Sequence, residues 1–447
     1  MATRFDPGGP LRGTLRPPPD KSVSHRAALI AAMGEGETAI EGYLDSADTR
    51  STLAAVESVG AEVTRPASGA YTAPDAGHVG GGGALDLRVR GVGLRGAGGA
   101  AIDVGNAGTL LRLLPGWLAG QETGAWTLDG DDSIRRRPVD RVAEPLRRMG
   151  ARIECREDRL PPLRIEAAPL HGIAYELPVA SAQVKSCLLF AGLLAAGETR
   201  VIEPLPTRDH SERMLAAAGA EVERRDGEVC VRPAVRLEPG EIVVPADFSS
   251  AAFFLVAALL VPGSDVRLAG VGLNPTRTGL LTILQRMGAE IEVEPEDERG
   301  GEPSGRLRAR ASRLRGTEVG GAEVPLAIDE LPLVALAACF AEGETTIRDA
   351  AELRRKESDR IAAVGAALTA LGATVETRED GMTIAGQGGL RGGTADSHGD
   401  HRIAMLGAVA GLASRDGVAV DGMEAAAVSY PGFEADLASL ALGRRRE

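Results

Sequence analysis

RRMGARIEC, residues 147–155, is the stretch on which the fold is read. An amphipathic run ends at Gly150, the small Ala151 follows, and residues then alternate polar and apolar as in a half-buried strand. Glycine at a helix C-terminus takes the left-handed cap, and a small next residue lets the strand leave close to the helix. The phrase returns as SVGAEVTR (58–65), AAAGAEVERRDG (216–227), QRMGAEIEVEP (285–295) and ALGATVETREDG (370–381). A second phrase, an apolar helix-like run leading through a turn into a short alternating strand, occurs six times. Its strands are GETAIEG from Gly36, GAWTLDG from Gly124, GETRVIE from Gly197, GSDVRLAG from Gly263, GETTIRD from Gly343 and DGVAVDG from Asp416.

Each unit therefore reads helix, strand, helix, strand, with further strand-like pieces such as LRIEA (163–167) and VCVRP (229–233). Repeats of this length indicate a modular α/β fold. Six units predict two domains of three, with a break near Val244, Pro245 and Ala246. The sixth unit lacks its Gly-Ala phrase where the sequence stops, and a strand-like N-terminus is expected to supply the missing piece. The Gly-rich run from Gly77 to Gly83 reads as a flexible loop.

Composition narrows the function. A length of 447 residues favours two or three domains. The net charge of −13 argues against general nucleic-acid binding, which needs net basic faces. Aromatic residues at 3% are too few for base-stacking platforms. Cys155, Cys187, Cys230 and Cys339 are far apart and form no CxxC pair, which argues against a zinc site or disulfide framework and fits a reducing cytoplasm. MATRFDPGGP has no apolar core, so no signal peptide is expected. The longest apolar run, Ala251 to Val261, falls short of the ~18 residues a membrane span needs.

The chemistry-bearing segments share one theme. In PPPDKSVSHRAALIAA (17–32), Lys21, Ser22 and Arg26 lie where a Pro-rich approach becomes a helix that Asp20 or Ser22 can cap. In DVGNAGTLLRLLPGWLAG (103–120), Asn106, Gly108 and Thr109 form a turn before an apolar helix carrying Arg112, and Gly108 permits close backbone approach to a ligand. DGDDSIRRRPVDR (129–141) places Arg135, Arg136 and Arg137 before Pro138, which fits the first turn of the next helix. These arginines are either a solvated run or an anion clamp. In LPVASAQVKSCLLFAGLLAAG (177–197), Ser181, Gln183, Lys185 and Ser186 stand at a helix start, as caps or as donors to a hydroxyl-rich ligand.

EPLPTRDHSERML (203–215) sets Thr207, Arg208 and His210 at another helix start, where a lone His reads as structural. DFSSAAFFLVAALL (247–260) opens with a capping Asp247 at the domain boundary. Asp329 and Glu330 in LAIDELPLVALAACF (326–340) are either a general base or helix-dipole partners. Lys356 and Arg360 in LRRKESDRIAAVGAAL (353–368) are expected to share a helix face, with Glu357 beside them as a proton relay. Asp400, His401 and Arg402 begin the last apolar helix. GVGLRG (91–96) fits G-x-G-x-x-G but opens no helix, so it is not a dinucleotide fingerprint. Basic and small polar groups thus crowd helix N-termini in unit after unit. That pattern predicts a binder of small polyanions between two positive faces, whose closure depends on ligand.

Assembled in order, DKSVSHR, GNAGT, RRRP, SAQVKS, PTRDH, DFSSAAFFL, IDE, RRKESDR and GDHRIAM make the chain resemble the EPSP synthase family, 3-phosphoshikimate 1-carboxyvinyltransferases, over nearly its whole length. DKSVSHR and SAQVKS look like its class II branch. The resemblance implies a two-domain inside-out α/β barrel with three βαβαββ repeats per domain, six in all. It implies one domain of residues 21–245, another of residues 1–20 plus 246–447, and a site in the cleft between them. The implied reaction transfers the enolpyruvyl group of phosphoenolpyruvate to the 5-hydroxyl of shikimate 3-phosphate without metal or redox cofactor, serving aromatic amino-acid biosynthesis.

Carried over residue by residue, Lys21, Ser22, Arg26, Ser181, Ala182 (through its backbone), Gln183, Arg208, Asp329 and Lys356 are expected to hold shikimate 3-phosphate. Lys21, Gly108, Arg137, Arg360 and Arg402 are expected to hold phosphoenolpyruvate. Asp329 is the expected base and Glu357 the expected acid, with Lys21 or Lys356 assisting. A cytoplasmic monomer with no nucleic-acid or membrane partner is expected. The family's C-terminal lysine is replaced here by Val428 in AAAVSYPGFEADL. A UDP-N-acetylglucosamine enolpyruvyl transferase is the weaker alternative, since its expected cysteine is missing from DDSIRRRP and Ser22, not Asn, follows the lysine. An inactive polyanion binder is the other alternative, and the retained acid–base set argues against it.

Overall fold

The five Gly-Ala phrases all become the same corner. Gly60, Gly150, Gly219, Gly288 and Gly372 have φ between 91° and 110°, a left-handed region that other residues enter at a cost. At Gly150 the helix Asp140–Arg148 gives way to strand Arg152–Arg156, which turns back as Leu160–Glu166. Together with strand Ala100–Asp103, helix Gly108–Ala119 and strand Ala125–Asp129, this completes one βαβαββ unit. Its first two strands run parallel and the hairpin adds two antiparallel ones. Among the described residues, five sheets have four strands and a sixth has three. The computed structural model describes residues 2–65, 83–296 and 298–441. The Gly77–Gly83 run, apart from Gly83 itself, lies outside the described residues.

Three sheets take a strand from elsewhere in the chain. Glu241–Val243 runs parallel to Glu37–Leu44, and Arg12–Leu15 runs parallel to Asp265–Gly272. Thr3–Phe5 pairs antiparallel with Val418–Asp421, with Thr3 opposite Val420.

The first helix of each unit lies inside and the sheets lie outside. Helix Phe248–Leu260 is buried at every residue, as an all-round apolar helix must be. Lys21–Met33 is buried from Val23 onward. The buried side chains form two cores. One joins residues between Val23 and Val244, and the other joins Leu11 and Leu15 to residues between Phe248 and Leu440. These are the six units of a two-domain inside-out α/β barrel. The six core helices begin at Lys21, Gly108, Ala182, Phe248, Leu331 and His401. No helix among the described residues is long and apolar enough to cross a membrane.

Two local expectations are corrected. Pro138 lies outside the helix, whose N-cap is Val139; Pro138 instead restricts Arg137, which is extended at φ −85° and ψ 124°. Lys356 and Arg360 do not share a helix. Lys356 ends a short 3-10 turn, and Arg360 is the first residue of helix Arg360–Ala370.

Candidate active site

Asp329 sits in the connection between helices Glu323–Ala327 and Leu331–Phe340, where no side chain caps the second helix. Its carboxylate is surrounded by cations. Arg208, from the 23–244 core, is ion-paired with Oδ2. Lys356 Nζ and Arg360 Nη1 lie 3.3 and 3.2 Å from Oδ1. Arg277 stands at 3.8 Å, while Arg402 stands at 4.0 Å and also donates to the Asp329 carbonyl at 3.2 Å. Burial pushes the Asp329 carboxyl up, but Lys356, Arg208, Arg402 and Arg360 together hold it well below the ordinary aspartate range. Lys356 and Arg360 therefore meet through one carboxylate rather than along a helix face.

Asp400 organises the other side. It is fully buried and caps helix His401–Ala413, accepting from the Arg402 N–H at 2.9 Å. Its two oxygens accept from Arg360 Nε at 2.8 Å and Nη2 at 3.3 Å. One capping residue thus fixes both Arg360 and Arg402. Glu357 accepts from Arg360 Nη2 at 2.6 Å with its side chain 46% exposed. Burial raises the Glu357 carboxyl, yet Arg360 and His401 outweigh it and leave it below its usual value. In this arrangement both candidate proton carriers are therefore carboxylates at neutral pH.

The facing half comes from the other core. Asp20, not Ser22, caps helix Lys21–Met33 by accepting from Val23 N. Lys21 pairs with Asp48 at 3.1 Å, away from the Asp329 cluster. Arg26 is buried and donates to Ser211 Oγ, Ser186 Oγ and the Ser22 carbonyl. Three of its five N–H donors are so used, leaving two. Burial lowers its guanidinium to about 10. Ser181 caps helix Ala182–Gly192, so the N–H of Ala182 is one of that helix's unpaired first donors. Gln183 is held between Arg112 at 3.0 Å and Thr109 at 3.3 Å. Lys185, four residues beyond Ser181, is fully buried between Glu203 at 2.9 Å and Glu212 at 2.7 Å and so does not face a ligand.

Helix Gly108–Ala119 has no side-chain cap; the Gly108 N–H donates to the Asn106 carbonyl at 2.8 Å, and the Thr109 and Leu110 N–H groups that follow it are the ones left for an anion. Arg137 reaches the same place, donating to Asn106 Oδ1 at 2.8 Å. Arg135 instead pairs with Asp129 at 2.9 Å and is half-exposed. Val428 is exposed at the end of a 3-10 turn, Met423–Val428.

Sequence reading missed the buried Arg277 and named Arg112 without giving it a role. Arg277 contacts Ser249 Oγ at 2.7 Å, Asp247 at 3.1 Å and Asp20 at 3.8 Å, so it joins both cores behind Asp329. Burial disfavours its charge, but Glu330, Asp20, Asp247 and Asp329 raise its pKa above the usual value. Its signal was an Arg just before helix Gly279–Arg286, the theme of several other site residues. Arg112 is half-buried and pairs with no carboxylate among the described residues; desolvation with Arg141 and Arg137 lowers it to about 10. It props Gln183. Among the described residues no group of three or more His, Cys, Asp or Glu side chains is placed to hold a metal ion.

A Cβ on Gly108 would stand 2.9 Å from Arg137 Nη1 and 3.3 Å from Arg112 Nη1. Both are ends of long side chains, so Gly108→Ala should leave the melting temperature unchanged while pushing the guanidinium groups off the helix start. Loss of one charge-assisted hydrogen bond predicts a KM for the anion held there that is about 10-fold higher. Steady-state kinetics beside a melting curve check this.

Residues 5–437 match the family described as EPSP synthase (3-phosphoshikimate 1-carboxyvinyltransferase). A relative from Alkalilimnicola ehrlichii named 3-phosphoshikimate 1-carboxyvinyltransferase is 50% identical over 436 residues, covering 97% of this chain and 94% of its own. One of the same name from Halorhodospira halophila is 50% identical, covering 98% and 96%. The solved EPSP synthase of Acinetobacter baumannii superposes with a TM-score of 0.88 at 41% identity, over 98% of each chain.

Proposed function

Because this chain belongs to the EPSP synthase family, we propose that Asp329 and the cations around it mark the place where its two anionic substrates meet. The chain is an enzyme that transfers the enolpyruvyl group of phosphoenolpyruvate to the 5-hydroxyl of shikimate 3-phosphate, releasing phosphate, in the shikimate pathway of aromatic amino-acid biosynthesis. The observation that carries the residue assignment is the sharing of one carboxylate by Arg208 of one core and Lys356 and Arg360 of the other.

Shikimate 3-phosphate is held by Lys21, Ser22, Arg26, Ser181, the Ala182 N–H, Gln183 and Arg208, with Asp329 and Lys356 closing on it from the second core. Phosphoenolpyruvate is held by Lys21, the helix start at Gly108, Arg137, Arg360 and Arg402. The incoming phosphates and carboxylates compete with Asp329 for Arg208, Lys356 and Arg360. Losing those partners raises the basicity of Asp329 at the moment substrate arrives. Asp329 then takes the proton of the 5-hydroxyl as that oxygen attacks C2 of phosphoenolpyruvate. Glu357, released from Arg360 in the same way and protonated, gives its proton to C3, with Lys21 or Lys356 assisting. A tetrahedral adduct results. Glu357 retrieves a proton from the new methyl group, the double bond re-forms and phosphate leaves. The facing surfaces are thus not simply like-charged, since Asp329 pairs with Arg208 of one core and with Lys356 and Arg360 of the other. The enzyme works as a cytoplasmic monomer in this reading; its four cysteines are free thiols.

The test is a pair of calorimetric titrations on Arg137→Ala. Phosphoenolpyruvate affinity, measured with shikimate 3-phosphate present, should fall about 10- to 100-fold, while shikimate 3-phosphate alone binds as before. Equal losses for both ligands would contradict the assignment.

A further inference from the structure

Three consecutive side chains of one core reach across to the other. Arg208 meets Asp329, Asp209 meets Asn274 and Thr276, and His210 Nδ1 meets Glu302 Oε1 at 2.8 Å. Only Arg208 faces the reaction. Asn274 ties the other two together: its Nδ2 donates to Asp209 Oδ1 at 2.7 Å and to Glu302 Oε2 at 3.3 Å. Its Oδ1 accepts from Thr276 N at 2.9 Å and Thr276 Oγ1 at 2.7 Å, which sets the orientation of the amide. Asn274 is 1% exposed and Asp209 1%, so neither can exchange these partners for bulk water.

The Asp209 carboxylate is divided between the two cores. Oδ2 takes Arg213 at 3.0 Å and Arg224 from its own core, while Oδ1 takes the Asn274 amide from the other, with Thr276 Oγ1 lying 3.2 Å away. The backbone is held likewise. Thr207 N donates to Glu203 within the core at 3.1 Å, and Asp209 N donates to Thr276 Oγ1 across the boundary at 3.3 Å. Arg208 stands between these two anchors.

We propose that Asn274 is a positioning residue for the reaction: it holds the 207–210 segment in register with the Asp329 core, so that Arg208 is delivered to the site only when the two cores are together. This rests on the reading that Arg208 holds shikimate 3-phosphate. Asn274 touches neither substrate, so it acts through Arg208.

The experiment is a double-substitution cycle on the full chain with Asn274→Ala, Arg208→Ala and both together. It reads kcat and KM by phosphate release, shikimate 3-phosphate affinity by calorimetry, and the melting temperature. Asn274→Ala should lower kcat about 10-fold and weaken shikimate 3-phosphate by no more than Arg208→Ala does. In the Arg208→Ala background the same substitution should cost almost nothing more. Additive losses, or a kcat within twofold of the parent, overturn the proposal. If Arg208→Ala alone leaves shikimate 3-phosphate binding intact, the reading of Arg208 fails, and the cycle still reports whether the two positions are coupled. Should Asn274→Ala fold poorly, Thr276→Val removes one of the same bonds to Asp209. It should lower kcat about 3-fold with the same dependence on Arg208, and additivity there overturns the proposal equally.

Discussion

Asp329→Asn should lower turnover about 10³-fold while shikimate 3-phosphate affinity changes by less than about 10-fold. A positioned general base contributes roughly 10²- to 10⁴-fold, and the amide keeps the shape but not the basicity. The substitution also leaves Arg208, Lys356, Arg360, Arg277 and Arg402 around an uncharged group. Mutual repulsion should then loosen the closed arrangement at low ionic strength, and added phosphate should restore it. Single-turnover kinetics separates lost chemistry from lost binding. A variant that turns over within 10-fold of the parent would remove Asp329 from the base role.

The same carboxylate predicts an acid signature. Its folded pKa lies below the ordinary 3.8, as does that of Asp400. A carboxyl depressed by folding contributes stability that is fully present above its unfolded pKa and is lost as pH falls through the folded one. Stability should therefore drop below about pH 4, less steeply in Asp329→Asn than in the parent. Urea midpoints measured between about pH 6 and pH 3 check this, and identical slopes would argue that the carboxyl is not depressed.

Arg360→Lys has the second-largest expected effect. The guanidinium is 1% exposed and spans both oxygens of the fully buried Asp400, Glu357 and Asp329. Lysine keeps the charge and loses the fork, so at least one bond to Asp400 is unmade. The loss should be about 1.5–3 kcal/mol of stability and about 10²-fold in kcat/KM for phosphoenolpyruvate. A chemical denaturation curve and steady-state kinetics measure the two separately. Full stability with full activity would mean that a point charge suffices there.

Local signals made the repeat legible. A glycine with forced positive φ followed by alternating residues marks a helix-to-strand corner wherever it occurs, and all five corners formed. The borrowed strands Arg12–Leu15 and Glu241–Val243 carried no such signal. They are three or four residues long, and their partners lie elsewhere in the sequence. At the site, residues at helix starts could be read because capping and dipole chemistry are local. Lys185 could not, because its burial depends on Glu203 and Glu212, which pack against it only in the folded core. Arg277 and Asn274 were missed for the same reason. Their partners, Asp20, Asp209, Asp247 and Glu302, are scattered along the chain, and only the meeting of two domains makes them a cluster.

The most direct test of the account is phosphate release by the purified protein with phosphoenolpyruvate and either shikimate 3-phosphate or UDP-N-acetylglucosamine. The account predicts one phosphate for each shikimate 3-phosphate consumed, and none with the nucleotide sugar or with phosphoenolpyruvate alone. No release with shikimate 3-phosphate from folded protein, or equal release with the nucleotide sugar, would contradict it.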